Sequence, residues 1–211
     1  MRTDNLICVL AADSAPRRSF ELQFVLMVTC GIAVAAITFL VLVGFRHDIL
    51  LAIQSFRFLF KFVVMLALAM TASATAHRSG DPIGNTRRWM KTIAISPILL
   101  AVAVVLELFV VPSGEWSNRL VGHDAWRCMT LIPLLSAGPL VCLLLALRQG
   151  APARPGWAGA MAGLAASGIA ATFYATNCAD DSPLFIATWF SLAILVVTVA
   201  GYLTGRRVLA W

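Results

Sequence analysis

Between Phe24 and Phe45 the chain runs 22 residues without a charged side chain, and five later stretches repeat the pattern. Phe58 to Ala76 carries only Lys61, and Thr92 to Val111 carries only Glu107. Cys128 to Leu147, Trp157 to Ala175 and Leu184 to Leu203 carry no charge at all. About 20 apolar residues in a helix cross roughly 30 Å of hydrocarbon, so each run can span a bilayer. Composition closes the alternatives. Hydrophobic residues make up 60% of the 211 and charged ones 12%, against roughly a quarter charged in soluble domains. A chain of this size has too little interior to hide that much apolar surface. Disorder, a secreted disulfide scaffold and a cytosolic enzyme are poor readings. The expected fold is an all-α integral membrane bundle of six transmembrane helices.

Turn-forming clusters separate several runs: Arg78 to Pro82, Pro112 to Gly114, Gly150 to Gly156 and Asp181 to Pro183. The organisation is an N-terminal segment (1–23), a membrane domain (24–205) and a short basic tail (206–211). Six spans leave both termini on one side. On that side fall Arg2, Arg17, Arg18, Arg78, Arg87, Arg88, Lys91, Arg148, Arg154, Arg206 and Arg207. The other side has Arg46, Arg57, Lys61, Arg119 and Arg127. By the positive-inside rule both termini are cytoplasmic. The net charge of +6 thus reads as a topology signal rather than as nucleic-acid binding. Arg17 and Arg18 serve as anchors in this reading, because the apolar run after them is longer than a signal-peptide core and lacks a clear cleavage site.

Three features inside the spans are expected to shape packing. Lys61 lies near a span end, where its stem can snorkel. Pro97, Pro133 and Pro139 are expected to kink the third and fourth spans. Gly159 and Gly163, four apart among alanines, form a small-residue surface on which another helix can approach closely; packing within this bundle is the simpler use.

Topology also sorts the five cysteines. Cys8 falls in the cytoplasmic segment, and Cys30 and Cys142 are expected in the inner halves of their spans as buried, small apolar residues. Only Cys128 and Cys178 share the outer side, which in a Gram-negative bacterium is an oxidising periplasm. Such a pair could form a permanent disulfide staple, form a reversible bond, or bind a soft metal. Arg127 precedes Cys128 and would favour its thiolate, whereas Asp180 and Asp181 would act against that of Cys178. That inequality suits an attacking and a resolving thiol. His123 and Asp124 lie near Cys128 and could join a metal site or belong to a solvated loop. His47 and His77 have no companions at ligand spacing. Glu107, the acidic residue within a span, is either functional or paired with Arg127 or Arg119. At the cytoplasmic start, Thr3 and Asp4 can cap a short helix with Leu6, Ile7, Val9 and Leu10 as its apolar stripe. A helix this short needs a surface to dock on: its own bundle, lipid headgroups or a protein partner.

The chain resembles the NrsF-type membrane anti-sigma factors, the negative regulators of sigma F, over its whole length. The resemblance rests on the Met-Arg-Thr3-Asp4-x-Leu6 opening, on Arg127-Cys128 with Pro133, and on Arg148-x-Gly-Ala-Pro152 with Pro155. It continues through Ala158-Gly159-Ala-x-Ala-Gly163 and the basic tail ending at Trp211. Its most specific element is Cys178-x-x-Asp181-Ser182-Pro183-x-Phe185-x-x-x-Trp189. The resemblance implies six spans, and a role in holding an extracytoplasmic-function sigma factor at the bacterial inner membrane. Release would follow oxidant or heavy-metal stress, with the family's two functional cysteines mapping onto Cys128 and Cys178. Asn177 stands where a histidine often precedes the cysteine, which weakens a metal site using that histidine; Phe190 stands where tyrosine often follows the tryptophan. A thiol oxidoreductase would need a Cys-x-x-Cys dithiol or several close outer cysteines, and a transporter would need several polar groups in mid-bilayer. The expected partners are therefore the sigma factor and the lipid bilayer, with no enzyme activity, cofactor, small-molecule substrate or direct nucleic-acid contact.

Overall fold

The structure, a computed structural model, describes residues 20–80, 91–122, 124–150 and 152–210. In chain order the helices are α1 (Phe20–Leu42), α2 (Ile49–Ala52), α3 (Phe56–Ser79), α4 (Ile95–Val110), α5 (Trp116–Val121), α6 (Ala125–Arg148), α7 (Pro155–Ala175) and α8 (Pro183–Val208). No strand occurs among the described residues. Six segments are long and apolar enough to cross a membrane; α1, α3, α4, α6, α7 and α8 belong to them, and the fourth, Ser113–Arg148, also takes in α5. Thr3, Asp4, Leu6, Ile7, Cys8, Leu10 and His123 lie outside the described residues.

Several boundaries move outward from the sequence reading. α1 starts at Phe20 rather than Phe24, with Glu21 in its first turn, where an acid suits the helix dipole. α8 runs to Val208, so Arg206 and Arg207 occupy its last turn instead of a separate tail. His77 and Arg78 end α3, and Arg148 ends α6. All three C-termini lie at one end of the bundle by alternation of the spans. Cations there complement the carbonyl ends of the helices.

α7 is the centre. Nearly every residue along it is buried, and α8, α3 and α6 pack around it, while α1 lies against α6 and α4 against α3. The reason is size: glycine and alanine let neighbouring backbones approach. A Cβ on Gly159 would fall 2.7 Å from the Cα of Gly205, and one on Gly163 would fall 2.6 Å from the Val197 carbonyl oxygen. The small-residue surface is therefore spent inside the bundle, against α8. Gly168 does the same against Ala69 of α3. By contrast, α1 and α4 expose large apolar side chains such as Val41, Leu40, Leu106 and Phe109, as lipid-facing helices do.

Pro97 has no N–H for the Ile93 carbonyl, and the helical segment Lys91–Val110 is interrupted at Ala94. Pro133 and Pro139 lie within continuous α6. α8 contains a π turn, Ile186–Phe190, that the sequence did not announce. Cys30 and Cys142 differ from expectation too: Cys30 is exposed, Cys142 is half-buried, and the two thiols adjoin across α1 and α6.

Candidate functional site

Cys128 opens the second turn of α6, and Cys178 lies in the loop between α7 and α8. Fifty residues apart in sequence, both are fully buried in one cluster with Tyr174, Phe185 and Phe190. Both are free thiols that adjoin one another, and the Cys178 thiol donates to the Asp180 carbonyl at 3.8 Å. The hydroxyl of Tyr174, one turn before Cys178, lies beside both sulfurs with no well-formed hydrogen bond of its own.

The loop carrying Cys178 has few internal hydrogen bonds, so side chains from other elements fix it. Lys61 of α3 is fully buried. Its ammonium donates to the Cys178 carbonyl at 2.9 Å and to the Asp180 carbonyl at 3.4 Å. It also pairs with the Asp181 carboxylate at 2.5 Å. The lysine that was expected to snorkel outward turns inward instead, because the acceptors are there. Arg46 lies 3.6 Å from the other oxygen of Asp181 and also pairs with Asp48, whose exposed carboxyl it holds down at about 2. Asn177 donates to the Gly44 carbonyl at 3.0 Å.

Glu107 of α4 secures the far end of the loop. It accepts from the Ser182 hydroxyl at 2.9 Å and from the Leu184 N–H at 3.0 Å. A carboxylate thus satisfies a free amide at the start of α8. Arg119 lies 3.4 Å from Glu107, the pairing foreseen as one alternative. Pro183 occupies the first turn of α8, where its missing N–H costs nothing. The Trp189 indole donates to the Leu120 carbonyl at 2.8 Å. Each named residue of the Cys178-to-Trp189 motif therefore has a partner or a packing role in fixing this loop.

The third connection closes over the pair. Gly122 ends α5 with φ of 57°, a conformation that side chains disfavour. A Cβ there would fall 2.5 Å from the Phe185 ring and 2.7 Å from an Asp180 oxygen. That same Asp180 oxygen accepts from the Asp124 N–H at 3.0 Å. Ligand atoms of Asp124, Cys178 and Asp180 all lie within 4.8 Å of one another.

Two electrostatic expectations are corrected. Arg127 does not sit against the Cys128 thiol: its side chain is 71% exposed and pairs with Asp124 at 3.5 Å. Adjacent residues on a helix do not share a face. The expected polarity of the pair also changes at Cys178. Its thiol is held below the ordinary cysteine range, first by the adjoining Cys128 thiol and, against the effect of burial, by the Lys61 charge. Asp180 opposes this but does not prevail. Lys61, Arg46, Tyr174 and Gly122 were not singled out as site residues from sequence. A lysine in an apolar run, with aspartates in an outer loop, was the one available signal.

The comparisons with known proteins agree with one another. Residues 10–211 match the family model described as "Negative regulator of sigma F". The anti-sigma-F factor of Caulobacter vibrioides (strain NA1000 / CB15N) is 33% identical over 221 residues, covering 100% of both chains. The probable anti-sigma-F factor of Azospira oryzae (strain ATCC BAA-33 / DSM 13638 / PS) is 32% identical over 217 residues, again covering 100% of both. No solved structure matches.

Proposed function

This chain belongs to the family of negative regulators of sigma F, and we propose that it holds an extracytoplasmic-function sigma factor at the bacterial inner membrane until an oxidant or heavy metal acts on Cys128 and Cys178. The observation that carries this reading is the buried pair of adjoining free thiols, held at the same end of the bundle by three connections. A pair this close can change state by forming a disulfide or by taking a metal, as a responsive element requires.

The orientation follows from charge. Eleven of the sixteen Lys and Arg residues fall on the side of the termini, which supports cytoplasmic N- and C-termini and a periplasmic thiol pair. Reporter fusions should read cytoplasmic at Arg87, Pro152 and Arg207, and periplasmic at Ser117 and Asp180. A periplasmic signal at Arg87 overturns the orientation.

Sigma docking is assigned to the segment 1–23. The sequence supports this: Leu6, Ile7 and Leu10, which follow Thr3 and Asp4, are the apolar residues we propose as the face for the partner. Cross-linking Cys128 to Cys178 ties the start of α6 to the α7–α8 loop. Movement at that end can tilt helices whose other ends border the docking side. For occupancy to change substantially, the two states must differ in sigma affinity by a few kcal/mol.

Co-purification with the candidate sigma factor tests the whole reading. Leu6→Asp with Leu10→Asp should abolish capture while membrane insertion persists. Cys128→Ser and Cys178→Ser should each lock capture in one state, and the double variant should resemble either single. Normal release by both single variants under oxidant and cadmium would sink the sensing mechanism.

A further inference from the structure

The thiol pair has more chemistry around it than a disulfide requires. Ligand atoms of Asp124, Asp180 and Cys178 lie within 4.8 Å of one another, and the Cys128 thiol, outside that group, adjoins Cys178. Beside both sulfurs the Tyr174 hydroxyl is fully buried and without a well-formed hydrogen bond. Burying a hydroxyl with no partner is unfavourable. A disulfide would leave it so, because disulfide sulfur is a poor acceptor. A metal-bound thiolate at Cys128 would accept from it.

We propose that Cys128, Cys178, Asp124 and Asp180 form a mixed thiolate–carboxylate site for a soft or borderline divalent cation, with Tyr174 as the outer hydrogen-bond donor to a bound thiolate. The site rests on reading the two cysteines as the responsive element, and it names the ligands through which a metal would act. Thiolates select soft cations, and carboxylates complete a four-donor set of the kind zinc accepts. Metal–donor bonds of roughly 2.0–2.3 Å need the three clustered atoms to draw in by only about 1 Å, while the Cys128 thiol, which lies outside that cluster, must turn toward them. Two thiols lose their protons to solvent as they bind, and the carboxylates bind as anions already. Closure joins the start of α6 to the α7–α8 loop without oxidation, so a metal and an oxidant would reach the same tied state by separate chemistry.

The carboxylates distinguish the two routes. The probe is cadmium, added to reduced full-length protein in detergent. The background carries Cys8→Ser, Cys30→Ser and Cys142→Ser, which removes the other thiols. Binding is read by equilibrium dialysis and by the thiolate-to-cadmium absorbance, and disulfide yield after diamide is read by mass. The parent chain should bind one cadmium and release two protons. Asp124→Asn and Asp180→Asn should each weaken binding by about tenfold or more, yet form the disulfide as the parent does. The Asp180→Asn side chain keeps an oxygen for the Asp124 N–H, so the loop can retain that hydrogen bond. Tyr174→Phe should weaken cadmium binding without affecting disulfide yield. Undiminished cadmium affinity in both asparagine variants would overturn the mixed site, as would a parent chain that binds no cadmium. Either result leaves the response to oxidant, and the co-purification test of it, standing.

Discussion

Replacing Gly201 by leucine should leave little folded protein after extraction into detergent. Gly201 faces Gly163 across the α7–α8 contact, and a Cβ there would fall 2.9 Å from the Gly163 Cα. The obstacle is backbone on both sides, so no side chain can rotate away and the two helices must part. α7 is the buried centre of the bundle, and α3 and α6 pack on its other faces. Parting α7 from α8 therefore disturbs the whole core rather than one rim. Overpacking a tight core costs about 1–3 kcal/mol, and more where nothing can yield; the upper end or beyond is expected here. Thermal unfolding in detergent, followed by size exclusion, gives the readout. Gly114→Leu is the control, because nothing lies within 4 Å of a Cβ at that position. A Gly201→Leu protein as stable as the control would show that close approach of α7 and α8 is not what holds the bundle together.

The same contact illustrates what a sequence of this kind discloses. Lipid imposes length and apolarity on each span, so six helices follow from uninterrupted runs alone. Gly159 and Gly163 announced a close contact but not with which helix; Gly201 and Gly205, four apart in the last span, were the matching surface. Cys128 and Cys178 could be paired because alternation of the spans put only those two cysteines on one side. What stayed hidden is non-local. Whether Lys61 reaches outward to water or inward to a loop depends on acceptors 117 and 119 residues away. The helix-capping role of Glu107 likewise depends on Ser182 and Leu184. Arg127 misled for a simpler reason, since nearness in sequence is not nearness on a helix surface.

Lys61→Met should release the loop that carries Cys178. Lys61 is fully buried, the Asp181 side chain is 18% exposed, and their charged atoms are 2.5 Å apart. Removing one member of a buried pair strands the other and costs about 3–5 kcal/mol. The partial exposure of Asp181, and Arg46 at 3.6 Å, place the expected loss near the lower figure. The Cys178 and Asp180 carbonyls lose a donor at the same time, so the damage extends beyond the ion pair. Unfolding in detergent should therefore begin at a lower temperature. Maleimide labelling at Cys178, located by mass spectrometry, should be faster than in the parent chain even below that transition. Methionine has close to the volume of the lysine stem, so a large cavity is not the cause. Adding Asp181→Asn to Lys61→Met should recover part of the stability, because the stranded charge is then gone. The double variant should still label quickly, since the two loop carbonyls remain without their ammonium. Labelling of Lys61→Met at the parent rate would mean that α4, through Glu107, holds the loop without help from α3.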